Sequence, residues 1–233
     1  MVRQTGLKSN ELERISPLLL DLQTYFLQIR ALVEPKKVEE QSLKEIGLLS
    51  KHALAILDYA LFAVDGFQTE LTFTTLSAAA LAQDVAENLR QLALVYNVDL
   101  DLDVTKTLEP VFTNELAAKG TLYGLASSLI TASQPSKKRT HLIIAAQETA
   151  PDTQRLGIYS PDLRISPKAI RQARVLAGQA RSMAPRELHS SGLGLIVSDQ
   201  LAIALGSHLK RFVHRGQRGI GFYVPMSTQL SFL

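Results

Sequence analysis

The chain has 233 residues, 46% hydrophobic and 20% charged, which excludes a disordered polymer and allows one large or two small domains. A formal net charge of +3 is spread along the chain. Its short basic runs, Lys137-Lys138-Arg139 and Lys210-Arg211, have no interleaved aromatics, and no basic recognition helix is evident, so a nucleic-acid partner is disfavoured. With no cysteine and five scattered histidines, a disulfide framework, a cysteine nucleophile and a structural zinc site are not expected.

The N-terminal MVRQTGLKSNELER lacks the apolar core of a signal peptide. The longest apolar run, near Ala53 to Val64, is interrupted by Asp58 and is shorter than the roughly 18 residues of a membrane helix. A cytoplasmic protein without membrane contact is expected.

From Ser9 to Glu34 apolar residues recur at alternating spacings of three and four: Leu12, Ile15, Leu19, Leu22, Phe26, Ile29 and Val33. This is a heptad seam, stopped by Pro35. A second helix carries a seam at Ile46, Leu49, Ala53, Ile56, Ala60 and Ala63 and ends near Asp65-Gly66. Residues 1–66 therefore form a helical hairpin. Leu48, Leu57, Leu61 and Val64 lie beside the second seam and also require burial. Two chains forming a four-helix bundle would supply it, so a homodimer through residues 9–64 is expected. The alternative is that the hairpin packs on the second half of its own chain.

Beyond Gly66 the period changes, and residues 67–233 form a second domain. TELTFTTL and VDLDLDV alternate with period two and flank a helix from about Ser77 to Tyr96. Another helix runs from about Asn114 to Ala132. Strands THLIIAAQE and RLGIYS, two further helices and the closing strands HLKRFVH and GIGFYVP complete an α+β sandwich with helices on one face of a sheet. Before the last strands, SSGLGLIVSDQLAIALGSHL (190–209) runs a Gly-x-Gly loop into an apolar helix, a construction suited to anions. Its Ser191, Gly192, Leu193, Gly194 and Leu195, together with Gly219, are the candidate nucleotide-binding residues. The competing reading gives Gly192 and Gly194 a tight turn and close helix–sheet packing, and Gly219 and Gly221 strand closure.

From about Ser9 to Pro225 this order resembles the catalytic core of a sensor histidine kinase, a dimerisation hairpin followed by a GHKL-type ATPase domain. The most specific part is SSGLGLIVSDQLAIALGSHLKRFVHRGQRGIGFYVP, which is similar to the family's G-x-G-L-G-L loop, its following helix and final strand pair. Ser190 replaces the first glycine. Ser16-Pro17-Leu18 resembles the Thr-Pro-Leu that follows the phosphoacceptor histidine. The resemblance implies ATP and magnesium as cofactors and a response regulator as partner.

The residues that chemistry needs are missing. The acceptor position holds Leu12, and His52, in the second helix, is a weak substitute that reads as a partly exposed or satisfied histidine. The two asparagine positions before the sheet hold Ser128 and Ala132, and a slip of one residue brings in only Thr131 or Ser133, although magnesium requires an oxygen donor. In YSPDLRISP the adenine-reading aspartate is replaced by Ser160, with Asp162 and Arg164 at the glycines. No catalytic residue, metal ligand or bound cofactor is therefore expected. The resemblance implies a pseudokinase acting through a response regulator or partner kinase. Alternatives are a divergent active kinase and a phosphotransferase using His52. The chain opens almost at its first helix, so any signal is expected to arrive through a partner.

Overall fold

Ser77 and Asn114 start two helices by the same device. Each has extended backbone, and its side-chain oxygen accepts from the amide three residues on, Ala80 N at 3.2 Å and Ala117 N at 2.9 Å, which satisfies one of the amides a first turn leaves unpaired. The computed structural model of the chain describes residues 26, 29, 40–65, 71–104, 108–133, 139–150, 152–161 and 193–227. In chain order the elements are α1 (Glu40–Asp65), β1 (Thr74–Leu76), α2 (Ala78–Val95), β2 (Val98–Val104), β3 (Val111–Thr113), α3 (Glu115–Ala132), β4 (Thr140–Ala150), β5 (Thr153–Ser160), α4 (Leu193–Ala204), β6 (Lys210–His214) and β7 (Gln217–Pro225).

The main sheet has the order β2-β4-β5-β7-β6, with β2 and β4 parallel and the other pairs antiparallel. A small separate pair joins β1 to β3. Of the expected strand TELTFTTL, residues 69 and 70 lie outside the described residues and Thr74–Leu76 are strand among the rest; β3 is an element the sequence pattern did not announce. Of the two helices expected after β5, one is α4; the other falls outside the described residues. Helix α4 ends at Gly206 (φ 72°), where Ser207 N donates to Ala202 O at 2.8 Å and Gly206 N to Ile203 O at 2.9 Å, a Schellman cap. The β6–β7 hairpin turns through Arg215 (φ 46°) and Gly216 (φ 79°), the left-handed pair that a two-residue turn requires.

Alternation sends Leu142, Ile144, Leu156, Ile158, Ile220, Phe222 and Val224 toward the helices, where all are buried in the main core. Helix α3 lies at its centre. Almost all of it from Ala117 to Ile130 is buried, so it has no polar face to show solvent.

Helix α1 packs on α2, α3 and α4 of its own chain. Leu49, Ala53, Ile56, Ala60 and Ala63, the seam read from the sequence, are buried there, and Tyr59 sits over Gly120, where a Cβ would come within 2.6 Å of its ring. The second seam is thus covered from within the chain, while Leu48 and Leu57 beside it are half-buried and Leu61 is exposed; heptad periodicity specifies an apolar stripe without specifying its partner. The face left outward carries Leu43, Leu54 and Leu61, 58%, 60% and 50% exposed. Of the first helix the described residues are Phe26 and Ile29, both helical; Ile29 packs against the core and Phe26 is exposed. By length and composition alone Ser42–Ala63 could cross a membrane. Its buried side facing α2, α3 and α4 gives the apolarity a use in the core.

The opposite face of the sheet is held by polar and aromatic groups. Tyr159 is fully buried there beside His214, ring centroids 5.0 Å apart. Asp103 accepts from His214 Nε2 at 2.8 Å and pairs with Arg215 Nε at 3.0 Å. With Nε2 protonated, His214 Nδ1 accepts from the Gln147 side-chain amide at 2.6 Å, and the Gln147 oxygen then faces Arg155. Arg155 in turn stacks on Phe212, 4.5 Å from the ring centre.

Candidate functional site

Helix α4 begins at Leu193 inside the Gly-x-Gly run, so Gly194 lies in its first turn; Ser191 and Gly192 fall outside the described residues. Gly194 and Gly124 face each other where α4 crosses α3. A Cβ on Gly194 would stand 2.6 Å from the Gly124 carbonyl oxygen and would overlap Ser128 Oγ. One on Gly124 would stand 2.7 Å from the Gly194 carbonyl oxygen and would overlap Ser198 Oγ. Ser198 Oγ is in hydrogen-bond reach of Thr121 O at 2.8 Å and Gly194 O at 2.6 Å. The close packing anticipated for Gly194 is therefore real, but it is between two helices rather than between helix and sheet. Leu195 is buried in the core behind it.

Gly219 is elsewhere. It lies in β7 opposite Tyr159, and a Cβ there would overlap the Tyr159 ring and the Ile158 carbonyl oxygen. That ring is on the sheet face away from the helices, so the structure does not bring Gly219 together with the start of α4. Gly221 pairs with Gly157, each too close to the other's strand for a side chain. Strand closure is the role both glycines take. Burial of the ring pushes the Tyr159 phenol up to about 12.

The asparagine positions are fully visible on α3. Ser128 is buried against Gly194, and Ala132 is half-buried with no donor atom. The neighbouring hydroxyls fold back on their own helix: Thr131 Oγ1 donates to Ser127 O at 2.9 Å, and Ser133 Oγ to Leu129 O at 2.8 Å. Among the described residues no three His, Cys, Asp or Glu side chains are grouped to hold a metal. The residues on α3 do not fit a magnesium–triphosphate. A hard cation is held by oxygen donors; Ala132 has none, and the Thr131 and Ser133 hydroxyls are turned to carbonyls of their own helix. Ser160, at the adenine-reading position, is the buried last residue of β5, paired across the ladder with Arg218. Asp162, Arg164 and Leu12 fall outside the described residues.

His52 is buried. Its Nδ1 lies 2.8 Å from Tyr123 Oη, and burial lowers its pKa to about 4. Of the two readings offered for it, partly exposed or satisfied, the first does not hold: it is 3% exposed, with its Nδ1 engaged by Tyr123.

No family model matches the chain, and no curated protein matches it in sequence. The mixed sheet, the helix layer and the preceding long helix define a class nevertheless: the chain has the α+β fold of histidine kinase catalytic cores. It matches the Acinetobacter baumannii histidine kinase AdeS with a TM-score of 0.53 and 19% identity, over 94% of this chain and 98% of that one. The nucleotide-free catalytic domain of histidine kinase ThkA gives a TM-score of 0.54 at 14% identity, covering 67% of this chain and 97% of that one. Full-length ShkA in complex with AMPPNP gives 0.53 at 17% identity, over 93% of this chain and 44% of that one.

Sequence reasoning missed Gly124 and Ser198 as partners of Gly194. A signal was present. Gly120, Gly124 and Ser128 on α3, and Gly194, Ser198 and Ala202 on α4, are small residues four apart, the spacing that lets two helix ridges interdigitate closely.

Proposed function

We propose that this chain is a histidine-kinase-like signalling protein that acts by binding, as a pseudokinase, to a response regulator or a partner kinase in two-component signalling. The observation that carries the reading is the surface of α3. Where kinase chemistry calls for two amide side chains there are Ser128, committed to the glycine crossing, and Ala132, while Thr131 and Ser133 bond to their own helix. Gly194 has a sufficient reason in packing, so its presence does not require a nucleotide. Phosphotransfer through His52 is disfavoured by its burial behind Tyr123. A homodimer would use the outward stripe of Leu43, Leu54 and Leu61 together with the first helix.

Calorimetric titration of ATP and ADP, with and without magnesium, tests this reading directly. No heat and no thermal shift at millimolar nucleotide are expected. Micromolar, magnesium-dependent binding would overturn it and restore an active kinase.

A further inference from the structure

A cavity of about 250 Å³ opens where α1 crosses α2 and α3. Two of its walls are aromatic: Tyr59 and Tyr123 lie with ring centroids 5.4 Å apart. Leu48 and Leu92 supply aliphatic surface, and the buried His52 lines it with its partner Tyr123. The volume sits just below the roughly 300–1,000 Å³ of common ligand pockets, and an apolar cleft with a few convergent polar groups between packed units is where small ligands bind.

Its charge is lopsided. No carboxylate lines it, and two lysines do. Lys119 is already paired with Asp84 at 2.8 Å. Lys51 is exposed and has no ion pair among the described residues. His52, with its pKa near 4, stays neutral at pH 7. The wall thus offers one uncommitted positive charge. Asp58 and Asp84 both act on Tyr59, raising its phenol after the larger effect of burial, so a second negative charge on a ligand would be repelled.

We propose that this cavity binds a small aromatic carboxylate, a monoanion about one ring in size, with its ring between the tyrosine and leucine walls and its carboxylate at Lys51. Nucleotide chemistry plays no part in it, so it stands or falls separately from the pseudokinase reading. One wall comes from the helical hairpin and the others from the second domain. Occupancy would therefore lock α1 against α2 and α3, giving the chain a ligand input of its own.

The test is calorimetric titration of benzoate into the full chain at pH 7, with benzyl alcohol as the neutral analogue. Benzoate is expected to saturate in the millimolar range or tighter, about fivefold more tightly than benzyl alcohol, the size of an exposed ion pair. Lys51→Gln should abolish that difference while leaving benzyl alcohol unchanged. Ala55→Leu, which puts a larger side chain on a half-buried lining position, should melt no lower than the parent and lose binding of both probes. If Ala55→Leu fails to melt cooperatively, Lys51→Gln alone decides. No heat at tens of millimolar benzoate, an unchanged benzoate preference in Lys51→Gln, retained binding in a folded Ala55→Leu, or displacement of benzoate by ADP would each overturn the proposal.

Discussion

On the helix side of the main sheet, α3 and α4 meet glycine on glycine, and the polar atoms admitted there belong to small serines, of which Ser198 lies in reach of two backbone carbonyls. On the other side, the groups are large and charged: Arg155 on Phe212, Asp103 shared by His214 and Arg215, and Tyr159 laid over Gly219. The first layer is held by volume. Backbone stands behind both contacts, so an added methyl has nowhere to go. The second is held by orientation and charge, and a Cβ at Gly219 would meet both the Tyr159 ring, which can rotate away at a cost, and the Ile158 carbonyl, which cannot. Glycine serves both faces for different reasons, and a glycine motif therefore does not by itself reveal which.

The sharpest way to break this contrast is Gly194→Val. Its Cβ would meet Ser128 Oγ and the Gly124 carbonyl together, and a loss of about 4 kcal/mol in denaturant unfolding is expected. Adding Ser128→Ala should recover only part of it, because the carbonyl remains. Full recovery would show that the crossing is set by a side chain and not by backbone.

The next effect is acid sensitivity on the helix side. His52 has a folded-state pKa of about 4 against an ordinary 6.5, so the unfolded chain takes up the proton first. Its stabilising contribution is complete above about pH 6.5, declines as pH falls, and levels off below about pH 4, a total of about 3 kcal/mol. His52→Gln should flatten that slope in unfolding curves between pH 4 and 7. An unchanged slope would place the acid response on the other face.

Smallest is Gly219→Ala, at about 2 kcal/mol, since it adds a single methyl, against the Tyr159 ring, which can yield, and the Ile158 carbonyl, which cannot. In a Tyr159→Leu background the cost should shrink by about 1 kcal/mol. Strict additivity would mean that the Ile158 carbonyl, and not the ring, keeps this position a glycine.

The elements that the sequence made legible were those with local signals. Ser77 and Asn114 cap helices whose apolar period is plain, Gly206 ends α4, and the closing hairpin turns at Arg215-Gly216. What escaped depended on pairings far apart in the chain. His52 and Tyr123 are separated by 71 positions, and nothing near either names the other. Tyr159 and Gly219 meet through strand register, which period two does not reveal. Helix α1 shows its stripe clearly, yet whether a stripe is covered from within the chain or from outside depends on shape, on Tyr59 finding Gly120. At the candidate site, the absent amides on α3 were readable one by one. The packing role of Gly194 required the second helix.

The ladder between β5 and β7 has one more consequence. Ser160 ends β5 directly opposite Arg218, the second residue of β7. Arg218 is also paired with Val213 of β6, so the last rung of β5 rests on the hairpin that the Arg215-Gly216 turn closes. That two-residue turn therefore sets the alignment of three strands, and a residue added to it would be felt as far away as the end of β5.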